Sequence, residues 1–263
     1  MPRILLKDLD DPRIVEYREL NRRNLTRYSG LFIAEGDKVV ERLLESDYGV
    51  ESLLVEERFL SRFEPLAPPE TPLYTGPQEL LEEIIGFNFH RGILACGRRK
   101  RQPPLADVAA KFPLRSLVVV CPDVQDPTNL GSIVRTSAAF GASAVLLGGR
   151  CADPFSRRVL RVSMGAAFRL PVVESLDLTK DLELLRSEFS FELVATVVDE
   201  CAESLSTTAR MERMALLLGG EGHGLSQDWL NLATRQVTIP MQLGIDSLNV
   251  AVAAAIFLFQ FQK

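Results

Sequence analysis

The sequence predicts an α/β protein built around a parallel sheet, and three observations predict it. Leu117–Cys121 is a short continuous apolar run, as in a strand buried on both faces, and Ala144–Leu147, Leu193–Val198 and Ala215–Leu218 read as further strands. Helical stretches such as Asn129–Phe140 alternate with them, as βαβ crossovers require. Glycines and polar residues cluster where these runs end, which is where open α/β sheets bind ligands.

Each element has a local signal. Pro12 after Asp11 marks a helix start, with proline at the first helical position. Val39, Val40, Leu43 and Leu44 form a helical apolar stripe after Gly36. Val50–Val55 and Gly92–Gly97 read as strands, Gln78–Ile85 as a helix and the proline-rich stretch from Pro65 to Pro77 as loop. Together they make a small α/β domain, residues 1–97. Residues 98–114 hold a basic run and Pro103-Pro104, and read as a linker. Residues 115–263 form the second domain. Its first helix has Thr128 or Asn129 as N-cap and Gly141 as its stop. Pro171–Val173 and Val237–Ile239 add strands, and the Ala-rich helix Ser247–Phe259, capped by Asp246 or Ser247, closes the chain.

Composition narrows the function. The 263 residues are 46% hydrophobic and 25% charged, which excludes a disordered or collagen-like chain. Cys96, Cys121, Cys151 and Cys201 are widely spaced, and with only His90 and His223 no zinc template fits, so free buried thiols and no metal are expected. The N-terminus lacks a signal-peptide core, and the longest apolar stretch, Val250–Phe259, is far short of the ~20 residues that span a bilayer. A cytoplasmic protein with no membrane partner is expected. The net charge of −5 counts against nucleic-acid binding, but it is unevenly spread. Residues 1–100 carry 15 basic and 18 acidic side chains, residues 101–170 carry 9 and 4, and residues 171–263 carry 6 and 13. The middle block is therefore net +5.

Three segments could carry chemistry. Asp126 to Thr136 follows a strand and opens a helix, and contains Asn129 and Arg135. Leu218 to Ser226 holds four glycines and Glu221, a carboxylate that packing alone does not explain. It matches neither phosphate-loop template, and no G-x-S-x-G occurs, so nucleotide-phosphate and serine-hydrolase chemistry lack support. Ile239-Pro240-Met241 is followed by Ser247-Leu248-Asn249-Val250 at the last helix.

Taken together, these segments resemble the three motifs of the SpoU/TrmH family of RNA ribose methyltransferases, in the SPOUT class. Asn129, Gly131 and Arg135 match the first motif; Gly219, Glu221, Gly222 and Gly224-Leu225 the second; Ile239-Pro240-Met241 with Ser247-Leu248-Asn249-Val250 the third. Gly220 stands where many members carry Asn. Being small and in the same turn, it is expected to leave cofactor binding intact. Asn24-Leu25, Gly30–Gly36 and Arg91–Ala95 give the first domain a likeness to the L30e/L7Ae-type substrate-binding domains of this family.

The resemblance implies a SPOUT-type parallel sheet with a deep trefoil knot and a homodimer that completes the active site. The implied activity is methylation of a ribose 2′-hydroxyl in structured RNA by S-adenosyl-L-methionine, with rRNA favoured over tRNA. The alternative is a catalytically inactive RNA-binding protein of the same fold. The implied catalytic residues are Asn129, Arg135, Glu221, Ser247 and Asn249. Arg135 is either the base or, since a guanidinium stays protonated, the stabiliser of the developing oxyanion. The implied cofactor residues are Thr196, Gly219, Gly220, Gly222, Ile239, Met241 and Leu248. Arg22, Arg23, Arg27, Arg91, Arg98, Arg99, Lys100, Arg101, Arg157 and Arg158 are the RNA-binding candidates.

Overall fold

A computed structural model describes residues 2–21, 29–242 and 247–262. The chain forms two compact units, Met1–Arg101 with Phe155–Arg169, and Gln102–Pro154 with Leu170–Lys263.

The first unit holds a five-stranded sheet from β1 (Arg3–Leu5), β2 (Leu31–Glu35), β3 (Val50–Glu56), β4 (Leu73–Gly76) and β5 (Ile93–Arg98), in the order β1-β4-β3-β5-β2. β1, β4 and β3 run parallel; β5 is antiparallel to β3 and β2. Its helices are α1 (Asp37–Leu44), α2 (Leu60–Phe63), α3 (Gln78–Ile85) and α6 (Arg157–Val162). Asp11 caps a 3₁₀ turn at Pro12–Tyr17, with proline at its start as expected. That turn is fastened by the fully buried Tyr17, whose hydroxyl hydrogen-bonds the Ser52 carbonyl at 2.9 Å and accepts from the Cys96 N–H at 3.0 Å. Its polar atom is thus satisfied inside an apolar core. The stretch expected as loop, Pro65 to Pro77, contains β4: its four residues are too few to show a period, yet all are buried.

The second unit is a seven-stranded, wholly parallel sheet: β6 (Ser116–Cys121), β7 (Ala144–Leu147), β8 (Val172–Glu174), β9 (Glu192–Val197), β10 (Glu203–Ser204), β11 (Arg213–Leu217) and β12 (Arg235–Thr238), in the order β10-β12-β9-β11-β6-β7-β8. Its helices are α4 (Leu105–Ala109), α5 (Pro127–Ala139), α7 (Leu178–Ser187), α8 (Gln227–Leu232) and α9 (Val250–Phe261). From β6 the chain steps outward to β7 and β8. It then crosses back to β9, leaving a slot that β11 fills. The expected linker contains α4, whose Leu105 and Ala109 are buried with Leu178, Leu182 and Leu185 of α7 in one apolar cluster.

Two cap assignments are corrected. Asp126, not Thr128 or Asn129, caps α5: its carboxylate accepts from the Thr128 N–H at 2.5 Å, and Pro127 takes the first helical position. Asn249, rather than Ser247, caps α9, accepting from the Ala251 and Val252 N–H groups at 2.9 and 3.3 Å. The other cap candidate, Asp246, lies outside the described residues.

Candidate active site

β12, β9 and β11 are neighbours, so parallel pairing brings the loops at their C-terminal ends together. Those loops, with Ser247–Val250 and part of α9, enclose a cavity of about 820 Å³. All seven residues expected at the cofactor line it: Thr196 and Gly219, Gly220 and Gly222, Ile239 and Met241, and Leu248. Thr196 also ties the sheet together, its hydroxyl donating to the Leu217 carbonyl at 3.0 Å.

Glu221, Ser247 and Asn249 line the same cavity. Glu221 is held by three donors. The amide of Asn129 reaches Oε1 at 2.7 Å, the Asp126 N–H reaches the same oxygen at 3.3 Å, and the Gln125 N–H reaches Oε2 at 3.2 Å. Asn249 in turn donates its amide to Oδ1 of Asn129 at 2.9 Å. The direction of this chain is fixed by its ends. A carboxylate only accepts and helix N–H groups only donate, so each asparagine must point its oxygen toward α9 and its nitrogen toward Glu221. One network thereby joins residues 129, 221 and 249 from all three sequence motifs.

Arg135 stands apart from this network. It is exposed on α5, and among the described residues it neither lines the cavity nor joins the Glu221–Asn129–Asn249 chain. Asn129, in the first turn of α5, is half-buried.

The small size of Gly220 has a structural basis. A Cβ there would lie 2.1 Å from the Asp123 carbonyl oxygen. The missing side chain is therefore required by the close approach of the loop after β6, and this backbone could not accept asparagine without shifting. Sequence reasoning also passes over Asp199 and Gln236, which line the cavity together with His223. Asp199 has a usable signal, two residues past the end of a strand whose C-terminus borders the site.

The basic candidates divide by their partners. Arg98 pairs with Glu51 at 2.7 Å; Lys100 pairs with Asp47 and sits 4.4 Å from the Tyr48 ring centre. Arg99 lies over Phe155 at 5.0 Å. Arg157 is committed inside the first unit, 3.4 Å from the buried Glu35 and 4.3 Å from the Phe87 ring, and this burial lowers its pKa. Arg91, Arg101 and Arg158 are exposed. Arg22, Arg23 and Arg27 lie outside the described residues. Among the described residues no group of His, Cys, Asp and Glu is arranged to hold a metal, and no helix is long and apolar enough to cross a membrane.

A parallel sheet with a ligand cavity over three adjacent strand ends, and a polar network beside it, defines an α/β enzyme of the open-sheet type. Comparison with known proteins narrows this. Residues 116–259 match the SpoU rRNA methylase family. An uncharacterized tRNA/rRNA methyltransferase of Mycobacterium bovis is 38% identical over 262 residues, covering 96% of this chain and 89% of the relative. The 23S rRNA (guanosine(2553)-2′-O)-methyltransferase RlmP of Bacillus subtilis is 26% identical over 262 residues, 98% of each chain. The crystal structure of an AdoMet-bound rRNA methyltransferase from Sinorhizobium meliloti has a TM-score of 0.83 at 25% identity, covering 99% of this chain and 97% of that one. The chain belongs to the SpoU rRNA methylase family and is a methyltransferase.

The family uses S-adenosylmethionine, and the cavity suits it. Ile239, Met241 and Leu248 offer apolar surface for a purine ring, and Asp199 and Gln236 offer polar groups for hydroxyl or ammonium donors.

Proposed function

We propose that this S-adenosylmethionine-dependent RNA methyltransferase modifies a ribose 2′-hydroxyl, and that its RNA is ribosomal. The observation that carries this reading is the Glu221–Asn129–Asn249 chain, which links the three motif segments beside the cavity. The named activity of the Bacillus relative supports both the 2′-O position and the rRNA class.

The cofactor, when bound, supplies an electrophilic sulfonium methyl group. The protein's part is to align the hydroxyl with it and to stabilise charge on oxygen as the proton leaves. Glu221 is too fully occupied by three donors to roam, so it fixes Asn129, which lies between the cavity-lining Glu221 and Asn249. A guanidinium stays protonated up to a pH of about 12, so Arg135 acts as the cation that stabilises the oxyanion and grips the adjoining phosphate.

Arg135 lies outside its own chain's cavity, which supports a homodimer in which the partner completes the site. α9 supports the same reading: Ala254, Phe257, Leu258 and Phe261 are buried, while Val252, Ile256 and Phe259 remain exposed. The return of the chain to β11, between β6 and β9, and the packing of α9 on α5, with Phe259 against Phe140 just past the end of α5 at 6.0 Å, support a trefoil-knotted path. The five-stranded mixed sheet supports an L30e-like, RNA-binding role for the first unit. Three buried cysteines that form no disulfide, Cys96, Cys121 and Cys151, are in keeping with the cytoplasm as its compartment.

The test separates binding from transfer. Arg135→Ala is expected to bind S-adenosylmethionine as the wild type does by calorimetry and to lose methyl transfer to rRNA. Near-normal turnover contradicts the assigned role.

A further inference from the structure

Behind Glu221 the loop after β6, Pro122–Gln125, is held on two sides. On one side is the glycine turn, where Gly220 meets the Asp123 carbonyl. On the other is the segment that follows β7. There, Gly148 donates its N–H to the Cys121 carbonyl at 2.8 Å, and a Cβ on Gly148 would come within 2.2 Å of the Pro122 carbonyl oxygen. Ala152 donates to the Val124 carbonyl at 2.9 Å, and Arg150 pairs with Asp123 at 2.8 Å. At the centre, the buried Cys151 thiol donates to the Cys121 carbonyl at 2.9 Å and accepts from the Val124 N–H at 3.3 Å. The next two residues, Gln125 and Asp126, are the ones whose N–H groups hold Glu221.

We infer that segment Gly148–Ala152, centred on Cys151, is a positioning element for Glu221, acting through the Pro122–Asp126 loop. The inference rests on the role given to Glu221 above. No sequence motif contains this segment. Its thiol is suited to holding the loop, because burial pushes its pKa up to about 11. It therefore stays protonated near neutral pH and keeps both a donor and an acceptor. A carboxylate that must hold Asn129 needs its own anchors fixed, because a displacement of about 1 Å in a reacting geometry can cost up to about a hundredfold in rate.

The test is a double-mutant cycle on the full chain, with rRNA from cells lacking this protein as substrate. Cys151→Ala is expected to lower kcat about tenfold with KM for S-adenosylmethionine unchanged. Cys151→Ser, which keeps a donor and an acceptor, is expected to recover most of that loss. In the Glu221→Gln background Cys151→Ala is expected to add little, because both changes act on one group. Amide hydrogen exchange supplies a readout independent of turnover: Cys151→Ala is expected to raise exchange at Gln125 and Asp126 while the rest of the sheet stays protected. Fully additive losses, or exchange at Gln125 and Asp126 unchanged, would overturn the inference. Wild-type activity in Glu221→Gln itself would instead remove the role of Glu221, and the inference with it.

Discussion

Asn249 serves two structures with one side chain. Its oxygen satisfies two of the unpaired N–H groups that open α9, and its nitrogen holds Asn129. The two roles can be separated. Aspartate is as good an N-cap as asparagine, but it has no amide N–H to donate. Asn249→Asp should therefore leave the thermal melting temperature close to the wild type while methyl transfer falls roughly a hundredfold. Asn249→Ala should lose the cap as well, at a cost of about 1 kcal/mol. Equal activity in Asn249→Asp and the wild type would show that the donated bond does not matter. The residue types here are readable from sequence, since asparagine near a helix start suggests a cap. That one asparagine joins a second 120 positions away is not, because no local period encodes a contact between segments so far apart.

The elements most legible in the sequence are those whose burial leaves a simple pattern. Leu117–Cys121 of β6, the whole of β7 and Met214–Leu217 of β11 are continuous apolar runs because both faces are covered. α3 has the bounds its sequence predicts, closed by the left-handed Gly86. β1, β4 and β10 escape because two to four residues carry no period. α9 lies between: its apolar surface runs all round, so sequence does not divide a core face from an outer one. The structure divides it, leaving Val252, Ile256 and Phe259 exposed. If that outer face is the dimer contact, Ile256→Asp should convert a dimer to a monomer by light scattering, with helix content retained because the buried side of α9 is untouched. A variant that remains dimeric would move the interface elsewhere.

At the scale of the molecule, the net charge of −5 describes neither unit. The basic block 101–170 is divided between them, since Phe155–Arg169 belongs to the first unit. That membership is invisible in the chain order. It depends on the buried Glu35, which faces Arg157 at 3.4 Å and Arg161 at 3.2 Å, and on Phe32 packing against Phe155 and Phe168 with ring centres 5.3 and 5.6 Å apart. Arg157 and Arg161, which look available to phosphates, are thus already paired with Glu35. The site is far more legible than this arrangement, because its three motifs must supply fixed residue types at strand ends whatever surrounds them.

The proposed reaction places a methyl group on a ribose 2′-hydroxyl of rRNA. A 2′-O-methyl group blocks attack of that oxygen on the neighbouring phosphate, so a modified position resists alkaline cleavage. Mapping alkaline cleavage across total RNA, from cells with and without the protein, tests the claim directly. One or a few rRNA positions are expected to be protected with the protein and cleaved without it, with protection restored by the wild type and not by Arg135→Ala. Identical maps, or restoration by Arg135→Ala, would contradict it.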